Sequence, residues 1–150
     1  MYVFVRVNVN PTAANQPFLI RDSIKLQWNG NTTFKQLEAY GQNAHYIRST
    51  ILKGNTNWTS DKPYVILGGM IVDTNAILTI QKGTRVHMNA DAPFIVDGTL
   101  IINGTKADSV VFRSNRLDDP YRDYPGSWPG IFFRGRSINN QLTYTYIKNA

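Results

Sequence analysis

The densest group of chemically capable side chains lies in one polar stretch. Asp118, Asp119 and Asp123 alternate with Arg116 and Arg122, and Tyr121, Tyr124 and Trp128 fall within the same thirteen residues. Carboxylates are the hard oxygen donors that calcium takes, but calcium collects roughly six to eight oxygens from a preorganised loop. The stretch carries no Asp-x-Asp-x-Asp-Gly pattern. Three acids beside two arginines also make a salt-linked loop without any ion, which is the simpler reading. The aromatic residues have a different use. Their faces can stack on sugar rings through C–H contacts and desolvation, or fold back and cover the body of the protein. Tyr121, Tyr124 and Trp128, with Arg116 and Arg122 as polar partners, are therefore the candidate ligand-binding residues. Asp118, Asp119 and Asp123 are the candidate metal ligands, and calcium is the one cofactor the sequence leaves room for.

Other constellations are thinner. Glycoside hydrolysis needs two carboxylates about 5 to 10 Å apart. Asp73 and Asp97 each follow an apolar triplet and lie 24 residues apart. In a chain coiling with that period they would stack at about 4.8 Å on one face. Both also sit in turn sequences, Asp-Thr-Asn and Asp-Gly-Thr, where aspartate bonds to its own backbone. The two histidines, His45 and His87, form no pair. His87, between Val86 and Met88, is expected to point the other way from them, outward. With no cysteine in the chain, disulfides, thiolate metal sites and cysteine nucleophiles are excluded. No catalytic residue is assigned.

The elements that must hold these residues are strands. No 12-residue window keeps a helical apolar stripe free of Gly, Pro or β-rich interruption, whereas alternation is frequent. Valines at 3, 5, 7 and 9 give Tyr2 to Val9 one apolar face, and Asn10-Pro11 ends that strand. Ser23 to Trp28 alternates and stops at Asn29-Gly30, a strong hairpin signal, with Thr33 to Tyr40 as the return strand. Residues 1–46 thus read as three antiparallel strands, the C-terminal part of an incomplete immunoglobulin-like sandwich. Residues 47–63, containing the polar run Asn55 to Pro63, read as a connector.

From residue 64 to 150 the pattern changes. Short apolar runs recur, among them Tyr64–Leu67, Met70–Val72, Leu78–Ile80, Val86–Met88, Phe94–Val96, Leu100–Ile102, Val110–Phe112, Ile131–Phe133 and Leu142–Ile147. Each is followed within three residues by Gly, Asn or Asp. Leu78 to Leu100 is 22 residues and Met70 to Phe94 is 24. That period marks a solenoid, because runs this short bury a face only when stacked. The fold expected is all-β, with antiparallel strands followed by the first rungs of a right-handed parallel β-helix. Gly83-Thr84 and Gly104-Thr105 lie between successive strands, where glycine is expected to supply a turn with positive φ. Arg113 to Trp128 breaks the period as an insertion, and insertions in solenoids fall on loops that often bind.

These motifs carry a resemblance. Leu78-Thr-Ile-x-Lys-Gly-Thr-Arg-Val, Val96-Asp-Gly-Thr-Leu-x-x-Asn-Gly-Thr-Lys, Val111-Phe, Arg116-Leu-Asp and Tyr124-Pro-Gly-Ser-Trp-Pro-Gly-Ile resemble a family of parallel β-helix surface lipoproteins of the Bacteroidota. The leading segment, with Asn10-Pro, Ile20-Arg-Asp-Ser-Ile and Leu37-Glu-Ala-Tyr-Gly-Gln, resembles the end of the immunoglobulin-like domain that precedes the helix in that family. The resemblance implies a location at the cell surface or outer membrane and attachment through a lipidated N-terminus. It also implies a fuller immunoglobulin-like domain and further rungs. The start Met1-Tyr-Val-Phe-Val-Arg-Val lacks the features of a signal peptide. The chain is thus expected to be a piece of a longer protein. The resemblance transfers no catalytic residues.

Charge and composition narrow the partners. Sixteen Lys and Arg against ten acids give +6, but the cations are spread singly, with Arg113, Arg116, Arg122, Arg134 and Arg136 the densest group. A nucleic-acid site would show a basic stripe with interleaved aromatics, so nucleic acid is not expected. No apolar run approaches the 18 residues of a membrane-spanning helix. The function expected is a non-enzymatic surface scaffold or recognition module that binds a glycan or a protein partner. The alternative is a polysaccharide lyase or glycoside hydrolase with most of its catalytic rungs beyond residue 150. Lyases of β-helix architecture bind calcium through carboxylates and use Arg or Lys as base. A purely structural spacer is the third reading.

Overall fold

The structure is a computed structural model and describes Phe4, Arg6 and residues 18–41 and 43–150. The valine-alternating strand expected over Tyr2 to Val9 lies, but for Phe4 and Arg6, outside the described residues. The chain divides into two compact units, 1–43 and 44–150.

The first unit contains an antiparallel pair, β1 (Phe18–Trp28) and β2 (Asn31–Gly41). Asn29 and Gly30 both have positive φ, 44° and 81°. This is the mirror-image two-residue turn whose twist matches that of the flanking strands. Register is fixed from Trp28 opposite Asn31 to Phe18 opposite Gly41. The strands expected at 23–28 and 33–40 are therefore present and somewhat longer.

The second unit is a parallel β-solenoid of about three turns. Its strands form three parallel series. The first begins with the N-terminal half of β3 (His45–Leu52) and continues through that of β5 (Tyr64–Val72), then β7 (Arg85–Met88), β10 (Val110–Ser114) and β13 (Thr145–Ile147). The second joins the C-terminal halves of β3 and β5 to β8 (Phe94–Val96) and β11 (Ile131–Phe133). The third stacks β4 (Asn55–Trp58), β6 (Ile77–Gln81), β9 (Thr99–Asn103) and β12 (Gln141–Thr143).

The stretch expected as a connector differs: residues 45–58 form the first rung. Its apolar residues are scattered, with Tyr46 and Ile51 exposed beside Arg48 and Ser49, and its last strand is mostly polar, so the run lacks a clear apolar signature, while Trp58 is buried and stacks on Tyr64 at 4.1 Å. Tyr64–Leu67 and Met70–Val72, expected as separate runs, are one strand bent at Gly68 and Gly69, with φ of 70° and 88°. At Gly68 a Cβ would lie 2.5 Å from Ser49 Oγ, so this corner admits only glycine without rearrangement.

Inward residues stack in columns. Tyr64 lies over Val86 and Val86 over Phe112; Met70 lies over Phe94; Leu78 lies over Leu100. The expected 22- and 24-residue stacking pairs are therefore formed. Phe94 meets Phe112 edge-on at 5.6 Å, joining two series through the core. Ile66, Leu78, Ile80, Val86, Met88, Val96, Leu100 and Ile102 are completely buried. Parallel strands this short make few hydrogen bonds each, so burial of this column supplies most of the driving force, about 25 cal/mol per Å².

The two Gly-Thr corners differ. Gly83 has φ of 74°, as expected. Gly104 does not need a positive φ. Its Cβ would stand 2.5 Å from the carbonyl oxygens of Thr143 and Tyr144, so close approach of the next rung excludes a side chain. Gly98 is more crowded, with Asp73 O at 2.2 Å and Ala76 O at 2.3 Å from an added Cβ.

Candidate functional site

The insertion between β10 and β11 is a loop anchored at both ends. Arg113 Nη2 donates to Arg122 O at 3.0 Å, and Asn149 Nδ2 donates to Tyr124 O at 3.0 Å and to Arg122 O at 3.2 Å. Ser127 N–H donates to Asn149 O at 2.8 Å. These bonds tie residues 121–128 to the last residues of the chain and hold a single 3₁₀ turn, Tyr121–Asp123, at the surface.

The charged residues pair off locally. Arg116 forks onto Asp118 with two bonds of 2.8 Å. Arg122 Nε lies 3.0 Å from Asp119 and 3.2 Å from Asp123. The Arg116 guanidinium holds the Asp118 carboxyl below its usual range, and Asp118 in turn raises Arg116. Asp118 is thus paired with Arg116, and Asp119 and Asp123 share Arg122. Among the described residues no group of three metal-ligating side chains is found.

The aromatic trio separates. Tyr121 and Tyr124 are about half exposed and pack edge to face at 5.6 Å. The Arg116 guanidinium sits 4.1 Å over the Tyr121 ring. Together they form a small platform of two rings and a cation on the loop surface. Trp128, expected beside them, is 2% exposed and belongs to the core. Its indole N–H donates to Lys148 O at 2.8 Å, so the ring is satisfied inside and offers no face to a ligand. The Ser-Trp-Pro-Gly sequence alone does not distinguish these roles. The distinction lies in Pro129-Gly130 leading directly into β11, which drags Trp128 onto the rung.

A second polar recess was not expected as such. Val72, Val96 and Phe133 are stacked, so the residues that follow them, Asp73, Asp97 and Arg134, lie along one corner. Asp73 keeps the turn role, its Oδ1 accepting from Thr74 N–H at 2.8 Å. Asp97 does not. Arg134 Nε donates to Asp97 Oδ1 at 2.6 Å, and Arg134 Nη2 donates to Oδ2. The Arg134 bonds hold the Asp97 carboxyl below the usual carboxylate range, with Arg136 adding to the effect. Thr74, Asp97, Arg134, Gly135 and Arg136 line an open recess of about 340 Å³. The repeated position after each apolar triplet was the signal that could have placed Arg134 beneath Asp97.

The histidines occupy separate sites. His45 Nε2 meets the Asp61 carboxylate at 3.1 Å, and Thr59 Oγ1 donates to the same carboxylate at 2.7 Å. Asp61 is held low, chiefly by Thr59 and then by His45. His87 does point opposite to Val86 and Met88, but it is covered rather than solvated, 7% exposed, with Arg113 on the adjacent rung. Burial pushes its pKa down to about 4, with the charges of Arg113 and Arg85 acting in the same sense.

Stacked parallel strands around a single apolar column define the class: a β-solenoid. Within that class, the family model described as a pectate-lyase-like β-helix domain matches residues 49–148, and the chain belongs to that family. No curated protein and no solved structure matches it significantly.

Proposed function

We propose that the chain is a non-enzymatic recognition module of a cell-surface protein that binds a glycan through the loop between β10 and β11. The observation that carries this reading is the platform of Tyr121, Tyr124 and Arg116. Two half-exposed rings and a guanidinium are held by a loop tied down at both ends. Large, rigid side chains bind sugars with little loss of rotamer freedom, and Arg116 is prepaid in position by Asp118. The pectate-lyase-like family is consistent with a carbohydrate-related role. A parallel reading makes the β1–β2 hairpin the end of an immunoglobulin-like domain set before the solenoid. A protein at the same surface is the alternative ligand for the platform.

The test is titration of neutral and acidic polysaccharides against the chain by calorimetry, with products followed by chromatography. Saturable binding without new products, weakened at least tenfold by Tyr121→Ala with Tyr124→Ala, supports the proposal. Trp128→Ala does not serve, because it opens the core. Undiminished binding in the double variant would defeat the platform.

The family match is equally consistent with one further reading, a polysaccharide lyase or hydrolase. The recess at Asp97, Arg134 and Arg136 is where its chemistry would fall. Unsaturated product from a uronate polymer, lost on Arg136→Ala, would establish that reading in place of binding alone.

A further inference from the structure

The two rings of the platform do not lie side by side. Tyr121 and Tyr124 are inclined at 70° to each other, with centroids 5.6 Å apart. One face of Tyr121 is already taken by the Arg116 guanidinium, 4.1 Å from the ring centroid. A flat sugar ribbon is held by coplanar rings, each stacked on a different residue of the chain. Rings this steeply inclined form a corner instead. One can stack on a pyranose while the other bounds its edge.

Charge sorts the sugar. From Arg116 to Tyr124 the loop carries three carboxylates against two guanidiniums, and Arg113, bonded to Arg122 O, brings the sum to zero. On a chain of net charge +6 this stretch has no positive surplus. Both guanidiniums are paired, Arg116 with Asp118 and Arg122 with Asp119 and Asp123. A uronate would find no unpaired arginine in the stretch and would face Asp119 and Asp123, whose side chains are each 76% exposed. A hydroxyl fares differently. Each of these carboxylates meets Arg122 Nε through one oxygen, and a carboxylate has about four acceptor sites, so lone pairs remain. Because both bond to one nitrogen, the two carboxylates are close together. An O–H bond to a carboxylate is about twice as strong as a neutral one.

We infer that the platform takes the terminal residue of a neutral glycan, seated in the corner of Tyr121 and Tyr124 with its hydroxyls donating to Asp119 and Asp123. The inference rests on the glycan-binding reading above and narrows it to an uncharged chain end.

Calorimetric titration with methyl glycosides tests this. The neutral probes are glucose, galactose, mannose, xylose, arabinose and fucose, and the acidic probes are galacturonate and glucuronate. At least one neutral glycoside should bind about tenfold more tightly than either uronate. A trisaccharide ending in that sugar should gain no more than about twofold over the monosaccharide. Asp119→Asn with Asp123→Asn should weaken the neutral ligand and admit the uronates, because it frees Arg122. Tyr121→Ala with Tyr124→Ala should abolish binding. The loop is anchored through the backbone oxygens of Arg122 and Tyr124, so both variants keep it in place. A uronate bound as tightly as the best neutral sugar overturns the inference. So does affinity that rises tenfold from one residue to three, or selectivity unchanged in the aspartate variant. If the tyrosine variant still abolishes binding in those cases, the platform stands and only its assignment to neutral chain ends falls. Binding of none of the probes, or binding indifferent to the tyrosines, defeats the glycan-binding reading and this inference with it.

Discussion

The hairpin and the solenoid are built from strands of similar composition, yet they are held by different things. In the hairpin pairing zips outward from the turn, from Trp28 opposite Asn31 to Phe18 opposite Gly41, and register follows from two residues, Asn29 and Gly30, whose left-handed backbone suits the turn. Its large apolar groups are little covered: Trp28 and Phe34 are more than half exposed. In the solenoid every pairing is parallel, so each joins residues about a full rung apart, and no single turn sets the register. Columns of buried side chains set it instead. A hairpin can be specified locally and still be marginal, because two strands bury little. A solenoid is specified by repetition, and each rung depends on its neighbours.

Substitutions that touch the columns should separate the two units most sharply. Phe112→Ala removes a fully buried ring that meets Phe94 and is expected to cost about 3–5 kcal/mol by denaturant unfolding of the solenoid. Phe34→Ala in the hairpin should change stability by less than about 0.5 kcal/mol. Equal effects would mean the hairpin has a core of its own.

Glycine replacements give the next largest contrast. Gly98→Ala places a Cβ against two backbone carbonyls of the rung above, neither of which can move without breaking the stack. A loss of about 3 kcal/mol is expected. Gly30→Ala meets no atom within 4 Å and suffers only from its positive φ. It should cost about 1 kcal/mol. Calorimetric melting of the two variants checks the ratio.

A dependence on pH should follow in the solenoid alone. His87 has its folded pKa depressed to about 4 from an ordinary 6.5. Between those values the unfolded chain binds the proton and the folded chain does not. The stability due to the neutral ring is therefore complete above pH 6.5 and is lost as pH falls towards 4, by up to roughly 3 kcal/mol. Residues 1–43 contain no histidine. Unfolding followed from pH 7 to 4.5 should show the decline, and His87→Leu should flatten it. An unchanged slope in that variant would assign the effect elsewhere. The smallest effect expected is that of Arg122→Gln, which removes an exposed pair on the loop and should leave the melting temperature of the solenoid within a degree or two.

The same contrast explains what could be read from the residues. Asn29-Gly30 announced its turn because turn chemistry is local. Met70 with Phe94 and Leu78 with Leu100 announced their columns because stacking repeats residue type at the rung period. The first rung stayed hidden because its inward residues Ile47, Leu52 and Trp58 are set among polar ones, Asn55, Thr56 and Asn57 above all, and make no apolar run. Alternation placed His87 on the outer surface, but it could not reveal a covered position. Trp128 looked like its neighbours Tyr121 and Tyr124 because aromatic residues serve cores and binding surfaces alike. The Asp97–Arg134 pair depends on a register that crosses the insertion, where counting along the chain fails.

Rung length, followed along the first strand series, grows through the stack. His45 lies beside Tyr64, Tyr64 beside Val86, Val86 beside Phe112 and Phe112 beside Ile147, so successive rungs take 19, 22, 26 and 35 residues. The strands barely change, and the growth goes into corners. Closing a longer corner costs little, about 0.6 kcal/mol for each doubling, once its ends are pinned by paired strands. The fold therefore separates two kinds of inheritance. Columns tolerate little variation in size, while corners accept insertions of new sequence almost freely. A lineage can lengthen and rewrite a corner many times over while the same stack of rungs continues to carry it.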